Sequence, residues 1–309
     1  MSNNSEIMVK EEQTANINPS PTVDAFFTRN GLSSADQTAC YTLVSRLYPN
    51  EPIVPASSQG YCSLTLFVGP STVIQFRPPT YRLDLTTTSR VSAIHTSYAP
   101  KTSHIAILQN SGLEVYSMSR VPGISLQDIR AQSPALAREP LYLENLCTTF
   151  AAFLARSWHH PPLSATSIPL GKVGRSLESR LQLLATSLPT RFKPLARSLL
   201  GNIEDITSLP WVLTHGDLMP GNMMLSPSSG HLSGFVDWAE AEFLPFGVCL
   251  YGLEEILGEM TSEGFRYHEQ AERLRAEFWA ELERRVGGGS GVLCRVRIAR
   301  DLGVLLWWG

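Results

Sequence analysis

Lysine is scarce in this 309-residue chain, which has four lysines against 21 arginines. Charged residues make up only 17% of the chain and the formal net charge is −3, so nothing favours a nucleic-acid-binding surface, which needs clustered positive charge. Long apolar runs are missing as well. No run, including residues 303–308 at the C-terminus, approaches the roughly 18 residues of a membrane span. We therefore expect neither a nucleic acid nor a membrane as a partner.

Cysteine is sparse and irregularly spaced. The five cysteines form no Cys-x-x-Cys motif, which excludes zinc ribbons and thioredoxin-like redox sites. An odd number of scattered thiols fits a reducing compartment. The polar N-terminus also lacks the apolar core of a signal peptide. These features predict a cytoplasmic protein, while the sequence gives no indication of its oligomeric state.

The length and the 43% hydrophobic content are sufficient for two lobes. Residues 1–22 are polar and are predicted to be a disordered tail. Residues 23–118 are predicted to form a small β-rich N-terminal lobe, and residues 119–309 a larger, mainly helical C-terminal lobe. The expected fold class is therefore α+β with two lobes.

Residue types and apolar spacing predict the elements of each lobe. In the N-terminal lobe we expect a helical stretch, a hairpin, a helix and two strands, at residues 22–48, 61–77, 82–98, 104–109 and 113–118. In the C-terminal lobe we expect helices at 142–160, 176–188 and 192–203, a hairpin at 222–236, helical structure over 249–285, and a short last helix after a glycine-rich joint at 287–291.

One stretch of the C-terminal lobe contains the candidate catalytic and metal-binding residues. Residues 213–225 read Leu-Thr-His-Gly-Asp-Leu-Met-Pro-Gly-Asn-Met-Met-Leu, so Asn222 follows Asp217 by five positions, and Asp237 follows the second strand of the predicted hairpin. Phosphoryl transfer needs a carboxylate that orients the attacking hydroxyl and oxygen ligands that hold Mg²⁺ against nucleotide phosphates. The spacing favours these roles over an ordinary polar turn. His215 is expected to be a neutral ring that braces the loop.

These residues resemble those of the aminoglycoside phosphotransferase and choline kinase-like family, which has the protein-kinase-like fold. The resemblance is carried by His215-Gly216-Asp217, by Asn222 and by Val236-Asp237-Trp238. Weaker support comes from residues 116–126, which are similar to the family's interlobe hinge, a strand followed by Pro-Gly-x-Ser-Leu. The resemblance covers residues 55–260 and is strongest in the C-terminal lobe.

The resemblance implies transfer of the γ-phosphoryl group of ATP to a hydroxyl of a small metabolite or an aminoglycoside-like compound. Asp217 would be the catalytic base, and Asn222 and Asp237 would be the Mg²⁺ ligands. The hairpin at residues 61–77 would cover the phosphates. The nucleotide would also contact the hinge, at Met118, Ser119 and Val121.

The scarcity of lysine leaves one family position unfilled. The family has a strand lysine that grips the phosphates, but Gln75 stands there, and the next helix has no glutamate to pair with it. Three explanations stay open: Arg77 or Arg82 supplies the charge, Gln75 alone hydrogen-bonds a phosphate and turnover is slow, or the nucleotide site is degenerate. Arg77 shares a strand face with Gln75, although a solvated cation at the strand end is an equal alternative.

The acceptor is harder to infer. Six glutamates follow Asp237: Glu240, Glu242, Glu254, Glu255, Glu259 and Glu263. This field suits a cationic hydroxylated substrate, with Glu240 as the candidate contact, but a solvated helix face is the favoured interpretation for the last four.

Two function classes remain at this point. The leading hypothesis is a small-molecule kinase that uses ATP and Mg²⁺. The alternative is a kinase-like pseudoenzyme that acts as a binding or scaffold module. Gln75 supports the alternative, whereas the intact set of Asp217, Asn222 and Asp237 argues against it.

Overall fold

The structure, a computed structural model, describes residues 22–57, 59–162 and 169–308. The tail expected over residues 1–22 lies outside the described residues except for Thr22, whose hydroxyl caps the first helix. The strands of the described part are β1 Ile53–Pro55, β2 Leu64–Val68, β3 Thr72–Arg77, β4 Thr102–Ile107, β5 Glu114–Ser119, β6 Ile124–Ser125, β7 Trp211–Thr214, β8 Met223–Leu225, β9 Leu232–Phe235, β10 Glu242–Pro245, β11 Gly258–Thr261 and β12 Gly264–Tyr267. Its α-helices are α1 Val23–Arg29, α2 Ser34–Leu47, α3 Leu85–Ile94, α4 Leu126–Gln132, α5 Pro140–Trp158, α6 Leu177–Ser187, α7 Lys193–Gly201, α8 Ile203–Thr207, α9 Gly252–Leu257, α10 Ala271–Val286 and α11 Gly289–Trp308.

The N-terminal part is built on one antiparallel sheet with the strand order β1-β2-β3-β5-β4. Burial alternates along β2, so Leu64, Leu66 and Val68 point into an apolar core. Helices α1 and α2 cover that core with Phe26 and Val44, among others. The two N-terminal helices therefore complete the apolar face of the sheet.

Local sequence explains where the N-terminal elements differ from the prediction. The helical stretch expected at residues 22–48 is two helices, because Gly31 turns the chain with φ of +64° and Ser33 starts α2 with a capping box. The strand expected from residue 61 begins at Leu64, and α3 is shorter than predicted. The sequence does not predict β1, because three residues that end in proline carry no strand pattern. Strand β3 matches its prediction at both ends.

The C-terminal core forms around α5, which packs along α10. Phe150 of α5 stacks on Phe278 of α10 with ring centroids 5.9 Å apart. Helix α11 approaches the short turn before α9 so closely that a Cβ on Gly303 would lie 1.9 Å from the Val248 carbonyl oxygen. The glycine is therefore needed for the packing of the last helix.

Two expectations for the C-terminal part are wrong. The last helix is not short: α11 has 20 residues and begins at Gly289, inside the expected joint. The helical structure expected over residues 249–285 is interrupted by the antiparallel hairpin of β11 and β12, which turns at Gly264 with φ of +111°. Within the described residues, none of the helices combines the length and apolar character that a bilayer crossing requires.

The two parts of the molecule meet at the hairpin of β8 and β9. Strand β6, which follows β5, pairs with β8. The Phe235 N–H at the end of β9 donates to the Tyr98 carbonyl oxygen at 2.7 Å, which ties the hairpin to the connection between α3 and β4. Residues at the end of β9 therefore lie beside the N-terminal sheet.

Candidate active site

A sharply turned loop joins β7 to β8 and holds the motif residues. Gly216 has φ of +81°, and a Cβ at this position would lie 2.1 Å from the Glu240 carbonyl oxygen. Only glycine fits that backbone and that approach. The loop is therefore clamped between β7 and the segment that follows Asp237.

His215 is buried beneath this loop, with 1% of its surface exposed. Its Nε2 donates to the Val236 carbonyl oxygen at 2.9 Å, and its Nδ1 accepts the Asp217 N–H at 3.2 Å. The ring also packs against Trp238, with centroids 4.5 Å apart. Burial lowers the pKa of His215 to about 4, so the imidazole is neutral at neutral pH. In this geometry His215 links the loop between β7 and β8 to the residue before Asp237.

Asp217, Asn222 and Asp237 lie together at one end of the β8–β9 hairpin. The Asn222 amide nitrogen donates to Asp217 Oδ2 at 2.9 Å and to the Asp217 carbonyl oxygen at 3.0 Å. The Val236 N–H donates to the Asn222 carbonyl oxygen at 3.0 Å, so Asn222 and Asp237 lie on neighbouring segments of the backbone. Because its amide nitrogen is engaged with Asp217, Asn222 has its amide oxygen left for a cation.

Asp237 has an unusual backbone conformation. Among the described residues it is the one non-glycine with positive φ, at 59°. Such a conformation is uncommon outside turns and functional sites.

The described residues contain no group of three or more His, Cys, Asp or Glu side chains placed to hold a metal. Asn222 and Asp237 offer two hard oxygen ligands, which fits Mg²⁺, because that ion usually takes its remaining ligands from water and substrate phosphates.

Arg77 reaches this pair of ligands from the N-terminal sheet. Its guanidinium Nη2 lies 3.2 Å from Asp237 Oδ1, and its Nε donates to Gln75 Oε1 at 3.0 Å. The residue is only 3% exposed, so its interpretation as a solvated cation is wrong. Arg82 instead turns to Glu114, with Nε 2.8 Å from Oε1, and its side chain is 62% exposed. Of the two candidate arginines, only Arg77 faces the motif residues.

A small cavity of about 30 Å³ separates the sheet from the hairpin. Its lining includes most of the residues expected to contact a nucleotide, and comprises Gln75, Arg77, Leu83, Thr88, Pro100, Thr102, Met118, Asp237 and Trp238. Thr88 is the buried polar residue of α3 that lines this cavity, and α3 has no carboxylate. The absence of a lysine on β3 is therefore matched by the absence of a carboxylate on α3.

The hinge residues Ser119 and Val121 lie beyond this cavity. The Ser119 N–H donates to the Lys101 carbonyl oxygen at 2.9 Å, and the Ser119 hydroxyl accepts the Lys101 N–H at 2.8 Å. Val121 is 7% exposed. The hydroxyl and the N–H of Ser119 are thus both engaged with Lys101, just before β4, which leaves the carbonyl group for any contact between this position and a nucleotide.

Residues 59–63 lie between β1 and β2, and we call them the covering loop. Gln59, 2% exposed, shapes it by donating to the Ala56 carbonyl oxygen at 3.0 Å and accepting the Thr65 N–H at 2.7 Å. Burial raises the pKa of the Cys62 thiol, the Arg77 guanidinium opposes that shift, and the Asp237 carboxylate adds to it. The Tyr61 ring of this loop meets Tyr81 edge to face, and the Tyr81 carbonyl oxygen accepts from Arg77 Nη1 at 3.4 Å, so the loop lies near the pair of Arg77 and Asp237. Covering of the phosphates by the hairpin at residues 61–77 stays a prediction.

The acidic segment after Asp237 is less solvated than expected. Glu254 and Glu255 are 5% and 4% exposed, so a solvated helix face is the wrong interpretation for these two. Burial, followed by repulsion from nearby carboxylates that include Asp217, raises the pKa of Glu255 to about 7. Glu240 is exposed beside the loop between β7 and β8, whereas the Glu242 carboxylate accepts two backbone N–H groups at 3.1 and 2.9 Å.

Two further residues near Asp217 could not be inferred from the motif. The Tyr251 hydroxyl accepts the Leu218 N–H at 2.9 Å, directly after Asp217 in the chain. Trp307 of α11 stacks on Tyr251, with centroids 4.7 Å apart and an interplanar angle of 10°. The only signal for these contacts was the apolar run at the C-terminus, which by itself indicates a packed helix.

Comparisons with known proteins identify the family and the fold. The model of the APH family, described as a phosphotransferase enzyme family, matches residues 86–247, just over half of the chain. The chain is similar to the GDP complex of wild-type aminoglycoside 2'-phosphotransferase-IIIa, with 12% identity, coverage of 87% of this chain and 89% of that one, and a TM-score of 0.59. It is also similar to macrolide 2'-phosphotransferase type I, with 16% identity, 89% and 90% coverage and a TM-score of 0.54. A choline/ethanolamine kinase family protein from Mesorhizobium loti shares 15% identity, with 89% and 83% coverage and a TM-score of 0.50.

At these identities the solved structures establish the fold, and they confirm the two-lobed, kinase-like α+β fold predicted from the sequence. A search of curated proteins found no match. The family match spans the hinge, the catalytic loop and Asp237. The chain therefore belongs to the phosphotransferase enzyme family.

Proposed function

We propose that this protein is a small-molecule kinase that transfers the γ-phosphoryl group of ATP to a hydroxyl group. The observation that carries the proposal is the convergence of Asp217, Asn222 and Asp237 at one hairpin end, with Arg77 paired to Asp237 at 3.2 Å. Carboxylate base, oxygen ligands and a phosphate-binding cation are the parts that phosphoryl transfer requires. We further propose that it works in the cytoplasm, with ATP and Mg²⁺ as its cofactors.

Asp217 accepts the proton of the attacking hydroxyl in this proposal. Asn222 donates to the Asp217 carboxylate at 2.9 Å, which orients that carboxylate. Asn222 Oδ1 and the Asp237 carboxylate would hold Mg²⁺, which neutralises the phosphate charge when it is bound. The buried, neutral His215 keeps the loop in place and takes no proton.

Arg77 takes the part of the missing lysine. Its planar guanidinium suits a phosphate better than an ammonium does, because it can donate two parallel hydrogen bonds. Gln75 Oε1 accepts a hydrogen bond from Arg77 Nε at 3.0 Å and so orients the guanidinium. Met118 would contact the base from the cavity, and the backbone at Ser119 and Val121 would bind its edge.

The acceptor we propose is a small hydroxylated molecule that carries an amine. Similar structures include an aminoglycoside phosphotransferase, a macrolide phosphotransferase and a choline/ethanolamine kinase family protein, which makes these three acceptor classes the first to test. Exposed Glu240, beside the catalytic loop, is our candidate contact for the cationic group.

The test is a screen of aminoglycosides, macrolides, choline and ethanolamine with ATP or GTP and Mg²⁺. Nucleotide consumption and the mass of a phosphorylated product are measured for the wild type and for Asp217→Asn. We expect product with at least one acceptor, and a loss of about 10²–10⁴-fold in the variant, because a general base contributes that much. Nucleotide affinity should be nearly unchanged in the same variant.

Two results would contradict the proposal in different ways. Tight nucleotide binding without transfer to any acceptor would favour the pseudoenzyme. Equal loss of transfer and nucleotide binding in Asp217→Asn would show that Asp217 is not the base.

A further inference from the structure

Helix α1 ends against the covering loop. Arg29, its last residue, donates from Nη2 to the Tyr61 carbonyl oxygen at 2.7 Å and to the Gly60 carbonyl oxygen at 3.3 Å. The guanidinium carbon also lies 4.2 Å from the centroid of the Tyr61 ring. One side chain from outside the sheet therefore holds two consecutive loop residues through hydrogen bonds and a cation–π contact.

The covering loop connects this contact to the candidate nucleotide site. The Tyr61 ring meets Tyr81 edge to face, with centroids 6.2 Å apart. The Tyr81 carbonyl oxygen accepts from Arg77 Nη1 at 3.4 Å, and Arg77 in turn pairs with Asp237. A continuous series of contacts thus runs from Arg29 to the carboxylate proposed to hold Mg²⁺.

The sequence of the covering loop explains why it needs such support. Kinase-like folds commonly cover the phosphates with a loop of several glycines, in the pattern G-x-G-x-x-G. The covering loop has one glycine, Gly60, and carries the bulky, exposed Tyr61. Its shape depends on side chains instead: buried Gln59 holds the inner side, and Arg29 holds the outer side.

We propose that Arg29 is a positioning residue for the nucleotide site: it fixes the covering loop over the phosphates through the Gly60 and Tyr61 carbonyl groups. This proposal rests on the proposed kinase function. Arg29 does not touch the nucleotide, so it acts on the affinity for ATP and not on the transfer step. Helix α1 is then a part of the nucleotide site, although it precedes the whole sheet.

The first experiment measures the loop without any nucleotide. Cys62 of the covering loop is half-buried, Cys294 is exposed, and the other three cysteines are buried. In a Cys294→Ser background, the rate of Cys62 alkylation by a maleimide reports how well the loop is held. Arg29→Ala should raise that rate about ten-fold, because two hydrogen bonds to a charged group are lost. Arg29→Lys should restore much of the protection, since an ammonium can donate to the same carbonyl groups.

The second experiment measures ATP. Arg29→Ala should raise the KM and the directly titrated Kd for ATP about ten-fold, with kcat within about two-fold of the wild type. Tyr61→Phe keeps the ring and should behave as the wild type. Tyr61→Ala loses the cation–π contact but keeps both carbonyl groups, so its Kd for ATP should lie between those of the wild type and Arg29→Ala. The matched control is Arg46→Ala, an exposed arginine in the last turn of α2.

The outcomes separate this proposal from the proposed function. If the wild type binds ATP and Arg29→Ala binds it equally well, the role of Arg29 is refuted while the kinase function stands. A faster alkylation with unchanged ATP affinity also refutes it, because the loop would then be held without effect on the site. If Arg29→Ala does not fold, Arg29→Met decides, because it keeps the aliphatic stem and removes the donors to both carbonyl groups. An ATP affinity equal to that of the wild type in Arg29→Met would overturn the proposal.

Discussion

Arg77 holds a positive charge in the protein interior, and its partner Asp237 is half exposed. Their side chains are 3% and 49% accessible, respectively. A buried guanidinium is costly to leave without its partner and is favourable beside several negative oxygens. The residue is therefore suited to exchange a carboxylate for phosphate oxygens when a nucleotide enters.

Replacing Arg77 should weaken nucleotide binding. We expect Arg77→Ala to raise the Kd for ATP about ten-fold or more, because a charge-assisted pair of hydrogen bonds is lost, and Arg77→Lys to recover part of the affinity. Isothermal titration with ATP and Mg²⁺ measures both. Arg82→Ala is the control and should stay within about two-fold of the wild type, because Arg82 turns away to Glu114. An equal effect of both variants would return Arg77 to a structural role.

Glu255 should make stability depend on pH in an unusual direction. Burial raises its pKa from 4.5 to about 7. As pH rises through this window the unfolded chain releases the proton first, so the folded state loses stability, and the loss is complete above the folded pKa. Glu255→Gln should match the wild type near pH 4.5 and exceed it by about 1–3 kcal/mol at pH 8. Urea unfolding across this pH range tests it, with exposed Glu283→Gln of α10 as control. If the difference in unfolding free energy between Glu255→Gln and the wild type is the same at all pH values, the raised pKa of Glu255 is contradicted.

At the scale of elements, the loop between β7 and β8 depends on one glycine. Gly216→Ala places a Cβ 2.1 Å from the Glu240 carbonyl oxygen in a backbone with φ of +81°. We expect a loss of about 2–4 kcal/mol in unfolding free energy, together with loss of phosphate transfer. The control is Gly201→Ala at the end of α7, where nothing lies within 4 Å of the new Cβ. That change should be neutral or stabilising by up to about 1 kcal/mol, and an equal loss in both variants would be evidence against the clamp.

Elements with a strong local pattern could be predicted, and elements set by tertiary contacts could not. Strand β3 has β-branched and aromatic residues between a Gly-Pro turn and two prolines, and its prediction was correct to the residue. The hairpin of β11 and β12 was missed because Glu259 and Met260 are ordinary helix residues, and the strands form only through their mutual pairing. The break between α1 and α2 was missed because it depends on Gly31, and a single glycine can also occur inside a helix.

The same distinction applies to the site. Asp217, Asn222 and Asp237 were predicted as a group because a short loop and a hairpin fix their separation. The partner of Arg77 lies 160 positions away in sequence, so only the fold could choose between Arg77 and Arg82. Burial of Glu255 had no local signal either, because consecutive glutamates in a helix usually face water.

At the scale of the whole molecule, two apolar cores meet at a narrow junction. The N-terminal core lies between the sheet and the helices α1 and α2, and the C-terminal core lies around α5. The cavity between them measures about 30 Å³, room for roughly one water molecule. In the proposed function a nucleotide would contact residues on both sides of this cavity, so its binding should link the two lobes.

The most direct test of the account is the unfolding temperature in the presence of ATP. With Mg²⁺, ATP at 100 times its Kd should stabilise the wild type by about 2.7 kcal/mol, which raises the midpoint by a few degrees. Asp237→Asn, or removal of Mg²⁺ by EDTA, should abolish most of that shift, because the metal ligand or the metal is gone. No shift at millimolar ATP, or the same shift without Mg²⁺ and in Asp237→Asn, would contradict a nucleotide site built on Asn222, Asp237 and Arg77.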